Sequence, residues 1–191
     1  MGGAWRSALR ALMARGWVES FEHESEELPI AVAADPPVLN DAQINALTAI
    51  RASLGSYQTH LIEGVTGSGK TEIYLRLIEE VTGQGGQVLV LVPEIGLTPQ
   101  LVERFRSRLG VGMVVMHSGL GDRERLDAWV ASRTGRASVV IGTRSAVFVP
   151  MPHLGLVVVD EEHDASFKQQ EGFRYHARDL AVVRSKIEDC P

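Results

Sequence analysis

Gly64-Val65-Thr66-Gly67-Ser68-Gly69-Lys70-Thr71 is the stretch that decides the reading of this chain. It matches G-x-x-x-x-G-K-[ST], and it sits between a strand-like segment, Tyr57–Ile62, and a helix-like one, Thr71–Val81. Gly64, Gly67 and Gly69 permit backbone angles that aim successive N–H groups at phosphate oxygens, with Thr66 and Ser68 in the same cradle. A helix opening near Lys70 adds the positive end of its dipole. Lys70 then reaches the β- and γ-phosphates of a nucleotide, and the Thr71 hydroxyl ligates Mg²⁺.

A second stretch answers the first. Leu156-Val157-Val158-Val159-Asp160-Glu161-Glu162-His163 is an apolar strand tipped with carboxylates. In a phosphate-loop fold such a strand is expected beside the phosphate-loop strand, with Asp160 holding Mg²⁺ through water. Glu161 is placed to polarise an attacking water as general base. A carboxylate directly after the metal ligand favours hydrolysis over transfer to a bound acceptor. The rival reading is a pair of solvated loop acids after a buried strand.

The rest of the chain alternates around these two stretches. Helices are expected over Ala42–Ser53, Thr98–Leu109, Asp122–Ser132 and Ala177–Ile187, and strands over Gln87–Val92, Val111–Met116, Val139–Gly142 and Leu156–Asp160. Thr98 is an N-cap with Pro99 in the first turn, where proline costs little. Short, β-branched, unbroken apolar strands between amphipathic helices mean an α/β fold: a parallel sheet covered by helices on both faces. Right-handed crossovers bring the strand C-termini to one edge, where ligands bind. Before this block lie a helix at residues 4–15, a strand-like Trp17–Phe21, an acidic loop and a linker at Ala33–Pro37. A helix and one strand bury no core alone, so residues 1–34 read as the remnant of a truncated domain and 35–191 as a nucleotide-binding one.

Composition narrows the class. The 191 residues are 45% hydrophobic and 23% charged, ordinary for a globular protein. Net charge is −5, so nucleic-acid contact must come from a local patch. No apolar run is long enough to span a bilayer, and no secretory signal is visible. The single cysteine, Cys190, excludes an internal disulfide and a cysteine metal cluster, and a reducing, cytoplasmic setting is the default.

Several words sharpen the picture. Gly64–Glu72 (GVTGSGKTE), Leu91–Gln100 (LVPEIGLTPQ), Gly142–Pro150 (GTRSAVFVP) and Asp160–Asp179 (DEEHDASFKQQEGFRYHARD) together resemble the PriA (primosomal protein N′) family of bacterial replication-restart helicases, in superfamily 2. The resemblance covers about residues 36–191. It implies a first RecA-like motor lobe that uses ATP and Mg²⁺ in 3′→5′ movement on single-stranded or forked DNA, with replication-restart primosome proteins as partners. It also implies that the start of the chain is the end of a winged-helix domain, and that the family's zinc module and second motor lobe lie outside this chain. The chain alone is then expected to bind ATP or ADP weakly and to hydrolyse slowly or not at all, and unwinding is not expected.

The resemblance assigns further residues. Gln43 resembles the adenine-reading glutamine upstream of the phosphate loop, a role that suits an amide's paired donor and acceptor. Pro93–Thr98 and Gly142–Arg144 resemble loops on the DNA backbone, where Thr143 and Arg144 suit phosphate oxygens. Phe167–His176 resembles an aromatic-rich loop that senses DNA, with Phe167, Phe173 and Tyr175 stacking on bases and Lys168 and Arg174 holding the backbone. From Asp164 to Lys186 five basic residues face three acidic ones, a locally basic stretch in an acidic chain. His163 closes the acidic motif and is a candidate relay between nucleotide and DNA. Ordering of the aromatic loop by DNA would then shift Glu161. Two other readings stay open: a GTPase or small-molecule kinase, and a non-catalytic interaction module. A GTPase is disfavoured because neither Asn40 nor Asn45 is followed by Lys.

Overall fold

The computed structural model describes residues 4–19, 36–65 and 67–191. After an N-terminal helix α1 (Ala4–Ala14), the elements run α2 (Asp41–Arg51), α3 (Lys70–Gly83), β1 (Gln87–Leu91), α4 (Pro99–Leu109), β2 (Met113–Met116), α5 (Asp122–Arg133), β3 (Val139–Gly142), β4 (Leu154–Val159) and α6 (Ala177–Glu188). Short 3-10 turns occupy Arg144–Phe148 and Ala165–Phe167. The four strands are all parallel, in the order β2-β3-β1-β4.

Strand alternation separates two cores. Val88 and Val90 on β1, and Val92 just past it, face one cluster, formed with the apolar sides of α2, α3 and α4. Leu89 and Leu91 face the other, with Ala128, Ala131, Val147, Phe167, Ala177 and Ala181. Both faces of the sheet are therefore dry, which is why its strands read as unbroken apolar runs. β4 changes parity once. Gln87 pairs with Leu154 but Val88 pairs with Leu156, so Gly155 is skipped and Leu154 turns to the second core while Leu156 and Val158 join the first. Gln87 itself is buried but satisfied: its amide nitrogen donates to the carbonyls of Ser132 (2.9 Å) and Ala137 (2.7 Å), and its oxygen accepts from the His153 N–H (3.1 Å).

The caps follow the sequence. Thr98 caps α4 and Pro99 opens it. Asn40 and Gln43 form a reciprocal capping box at α2.

Two expected strands are not seen among the described residues. Tyr57–Ile62 joins no ladder, although Ile62 packs against the first core. The outer edge of β4 is met instead by Pro191, in the short segment that follows α6. The Val157 N–H donates to the Pro191 carbonyl (2.9 Å), and the Tyr57 N–H donates to Asp189 Oδ1 (2.9 Å). The acid-tipped strand is therefore flanked by β1, not by a phosphate-loop strand. Trp17–Glu19 is not a strand either; the Arg15 guanidinium lies 5.2 Å from the Trp17 ring centre. Ser20 and Phe21, and most of the expected linker, lie outside the described residues, as does Thr66.

Candidate functional site at the carboxyl edge of the sheet

The phosphate loop is shaped by its own sequence. Gly67 and Gly69 take φ of +81° and +86°, the left-handed region that glycine enters without penalty. Gly69 is doubly constrained, because a Cβ there would collide with the Gln43 amide. The Ser68 N–H turns back to the Val65 carbonyl (3.1 Å), and the Lys70 ammonium donates to the Gly64 carbonyl (2.6 Å), so the loop closes around its own cation. Gln43 braces it from outside. Its nitrogen donates to the carbonyls of Ser68 (3.2 Å) and Gly69 (3.4 Å), while its oxygen accepts from the Asn40 N–H (2.9 Å). In this structure both ends of the Gln43 amide are engaged by protein.

The acidic strand end meets that loop through a residue the sequence reading did not single out. Tyr74 lies on α3 one turn beyond Lys70 and Thr71, and its hydroxyl is 3.5 Å from Asp160 Oδ1. α3 and the tip of β4 therefore face each other at the carboxylate. The helical spacing from Lys70 to Tyr74 was the available signal, since i and i+4 share a face. Burial pushes the Asp160 carboxyl up from its ordinary value, and the neighbouring Glu161 adds to this. The Glu161 N–H, Lys70 and Tyr74 pull it partly back. Burial and Asp160 push the Tyr74 phenol up as well, so it stays a neutral donor.

Glu161 takes φ of +48°, one of two non-glycine residues among those described in the left-handed region. Such a conformation costs a β-carbon-bearing residue about 1 kcal/mol or more and needs support from its surroundings. The support here is local. The Glu161 N–H donates to Asp160 Oδ1 (3.2 Å) and its carbonyl accepts from the Asp164 N–H (2.9 Å). His163 Nε2 approaches the Glu161 carboxylate at 3.7 Å, with both side chains open to solvent. Glu162 points elsewhere and pairs with Arg178 on α6 (2.8 Å).

A hard-oxygen cation and a polyphosphate suit the chemistry of this donor set: the first N–H groups of α3, one ammonium, the Thr71 hydroxyl and the Asp160 carboxylate. The ammonium already sits among loop carbonyls, where an anionic group would take over its hydrogen bonds.

Past the acidic turn the chain forms the aromatic-rich loop. Lys168 bridges His176 in antiparallel fashion, and the Gln169 N–H donates to the Tyr175 carbonyl (2.8 Å), so residues 168–176 make a small hairpin. Here the structure corrects the reading of Phe167. Its ring is fully buried in the second core, because the 3-10 turn Ala165–Phe167 aims it beneath the sheet edge, and it is not available to stack on a base. Phe173, by contrast, is 77% exposed, and Lys168 and Arg174 are exposed beside it. Thr143 is buried, its N–H donates to the Met116 carbonyl (3.0 Å), and it borders a cavity of about 580 Å³ together with Thr98 and His117. Gly142, just before it, leaves no room for a side chain: a Cβ there would lie 2.6 Å from the Met116 carbonyl oxygen and 2.5 Å from the Ala146 Cβ. Arg144 Nη1 donates to the carbonyls of Ser166 (3.0 Å) and Lys168 (3.2 Å), tying the turn after β3 to the aromatic loop. No group of three or more potential metal-ligating His, Cys, Asp or Glu side chains occurs among the described residues.

With that geometry in view, residues 40–188 match the DEAD/DEAH box helicase family. The chain belongs to that family. Among curated proteins it is 48% identical over 182 residues to the replication restart protein PriA of Haemophilus influenzae, covering 91% of this chain and 25% of that protein. It is 48% identical to the PriA of Synechocystis (97% and 23% covered) and 47% identical to that of Bacillus subtilis (82% and 20%). The chain thus spans about a quarter of the length of these relatives. Among solved structures it resembles the UvsW helicase of bacteriophage T4, with a TM-score of 0.56 at 17% identity, over 96% of this chain and 66% of that one. That likeness supports the RecA-like helicase fold and nothing narrower. No described helix is long and apolar enough to cross a membrane.

Proposed function

We propose that this chain is the ATP-binding lobe of an ATP-dependent 3′→5′ DNA helicase acting in replication restart, in the cytoplasm. Residues 35–191 form the first motor lobe, and residues 1–34 are the end of a preceding winged-helix domain. Single-stranded or forked DNA and the proteins of the restart primosome are its partners. The observation that carries this reading is the Tyr74–Asp160 contact, which holds the helix bearing Lys70 and Thr71 against the carboxylate after β4.

In this reading the amides of Gly67–Thr71 and the Lys70 ammonium bind the phosphate tail, with Thr66 and Ser68 in the same loop. Thr71 and Asp160 hold Mg²⁺, which when bound neutralises charge on the phosphates. Glu161 orients the attacking water and accepts its proton. Gln43 couples the loop to α2 and reads adenine once nucleotide displaces its bonds to Ser68 and Gly69. His163, paired with Glu161, joins the hydrolytic side to the DNA side. Thr143, Arg144, Lys168, Phe173, Arg174 and Tyr175 form the DNA side.

The test is a nucleotide titration of the chain, with and without single-stranded DNA. ATP should bind and Lys70→Ala should abolish binding. Tighter binding of GTP than ATP, or binding untouched by the Lys70 substitution, would overturn the reading.

A further inference from the structure

Beside the aromatic hairpin stands a ring that does not belong to it. Phe148 closes the 3-10 turn after β3 and is 56% exposed, although the residues around it, Ala146, Val147 and Val149, are buried. Its ring meets Tyr175 edge to face, with centroids 5.0 Å apart and planes at 71°. Tyr175 in turn meets Phe173 at 6.0 Å and 31°. Three rings from two separate elements thus form one continuous surface at the carboxyl edge of the sheet, with two of them largely open to solvent.

The two elements are fixed to each other. Arg144, at the start of the 3-10 turn, holds the carbonyls of Ser166 and Lys168. Arg184 on α6 donates to the Val147 carbonyl (2.8 Å), next to Phe148. An apolar ring left in water by a scaffold this well tied asks for a planar, apolar partner with charge nearby. Lys168 and Arg174 supply the positive charge, and Glu171 is the one acid within the hairpin.

We infer that Phe148 is a base-stacking residue, the third ring of a platform for unpaired nucleobases whose other members are Phe173 and Tyr175. The inference rests on the DNA-binding reading and extends it to a residue outside the aromatic-rich loop. It gives the turn after β3 a contact with bases, where Thr143 and Arg144 offer only backbone contacts, so one strand is gripped by base faces and phosphates on the same element. Stacking is indifferent to sequence, as a translocating motor requires.

The test is fluorescence anisotropy of a labelled oligo-dT strand and of an abasic strand of equal length, at one salt concentration. Phe148→Ala should weaken dT binding about 5- to 100-fold. It should leave the abasic strand unchanged, and Phe148→Trp should restore dT binding. Phe148→Leu, which keeps apolar bulk without a ring, should behave as the Ala variant, and unchanged thermal melting would show that the fold is intact. Unchanged dT affinity in Phe148→Ala, or equal losses on both strands, overturns the assignment. Phe173→Ala run in parallel separates the two levels. If it weakens dT binding and Phe148→Ala does not, only the Phe148 assignment falls. If neither does, the DNA reading of the whole face falls with it.

Discussion

The phosphate loop and the aromatic-rich loop lie at the same edge of the same sheet, and they are built on opposite principles. The phosphate loop acts through main-chain amides. Its shape follows from where glycine permits positive φ, at Gly67 and Gly69, and from a helix that begins at Lys70. The aromatic loop acts through side-chain rings, and whether a ring works on a ligand or inside a core depends on what packs against it. Phe167 and Phe173 are six positions apart in one aromatic-rich stretch, yet one is fully buried and the other 77% exposed. Backbone chemistry is local; ring exposure is not.

The largest effect should appear on the phosphate side. Glu161→Gln keeps size and hydrogen bonding but removes the base, and should lower ATP hydrolysis about 10²- to 10⁴-fold with nucleotide binding retained, as read by single-turnover rates beside a binding titration. Matched losses of binding and rate would mean that Glu161 shapes the site rather than acting on water.

On the aromatic side, Phe167→Ala should cost about 3–5 kcal/mol of stability in a urea titration, because it empties a filled core site. Phe173→Ala should stay within about 0.5 kcal/mol of the parent. If the two variants unfold alike, the division of that loop into a core ring and a ligand ring is wrong.

A smaller loss is expected behind the phosphate loop. Glu72, buried on the first turn of α3, is bonded to Arg76 (3.0 Å) and Arg108 (3.4 Å), and Arg108 also pairs with Glu79. Removing one member of such a network leaves buried charge poorly matched, so Glu72→Ala should destabilise the chain by about 3 kcal/mol. Thermal melting that does not move would show that α3 is held by its apolar face alone.

The smallest effect has the opposite sign. The folded state raises the Asp160 pKa, so it holds that proton more tightly than the unfolded chain does. The carboxyl's favourable contribution is complete below its ordinary value and is lost as pH rises through the raised one. At neutral pH it is a cost, and Asp160→Asn should raise stability by about 1 kcal/mol while removing Mg²⁺-dependent nucleotide binding. The gain should shrink as the medium is acidified. An Asn variant less stable than the parent at pH 7 would contradict the account of that carboxylate.

How much was legible follows from the same distinction. The helices, the cap at Thr98 and the four strands that form were readable, because periodicity and capping act over a few residues. Tyr57–Ile62 misled: the segment is strand-like, but strand formation needs a partner edge, and Pro191, in the segment after α6, bonds the edge of β4. Arg144 read as a phosphate ligand by residue type, and its bonds to Ser166 and Lys168, 22 and 24 positions away, have no sequence signal. Tyr74 could have been found from its helical spacing; Phe148 could not, because its neighbour Tyr175 is distant in the chain.

From its residues alone this chain fixes a parallel α/β fold and a cradle for phosphate at Gly64–Thr71, since glycine spacing, β-branched runs and a helix start are properties of neighbouring residues. Tertiary packing alone decides which carboxylate faces that cradle, which aromatic ring is sealed beneath the sheet, and which rings are left together in water. Those outcomes turn on contacts between distant segments, whose energies no short stretch of sequence contains.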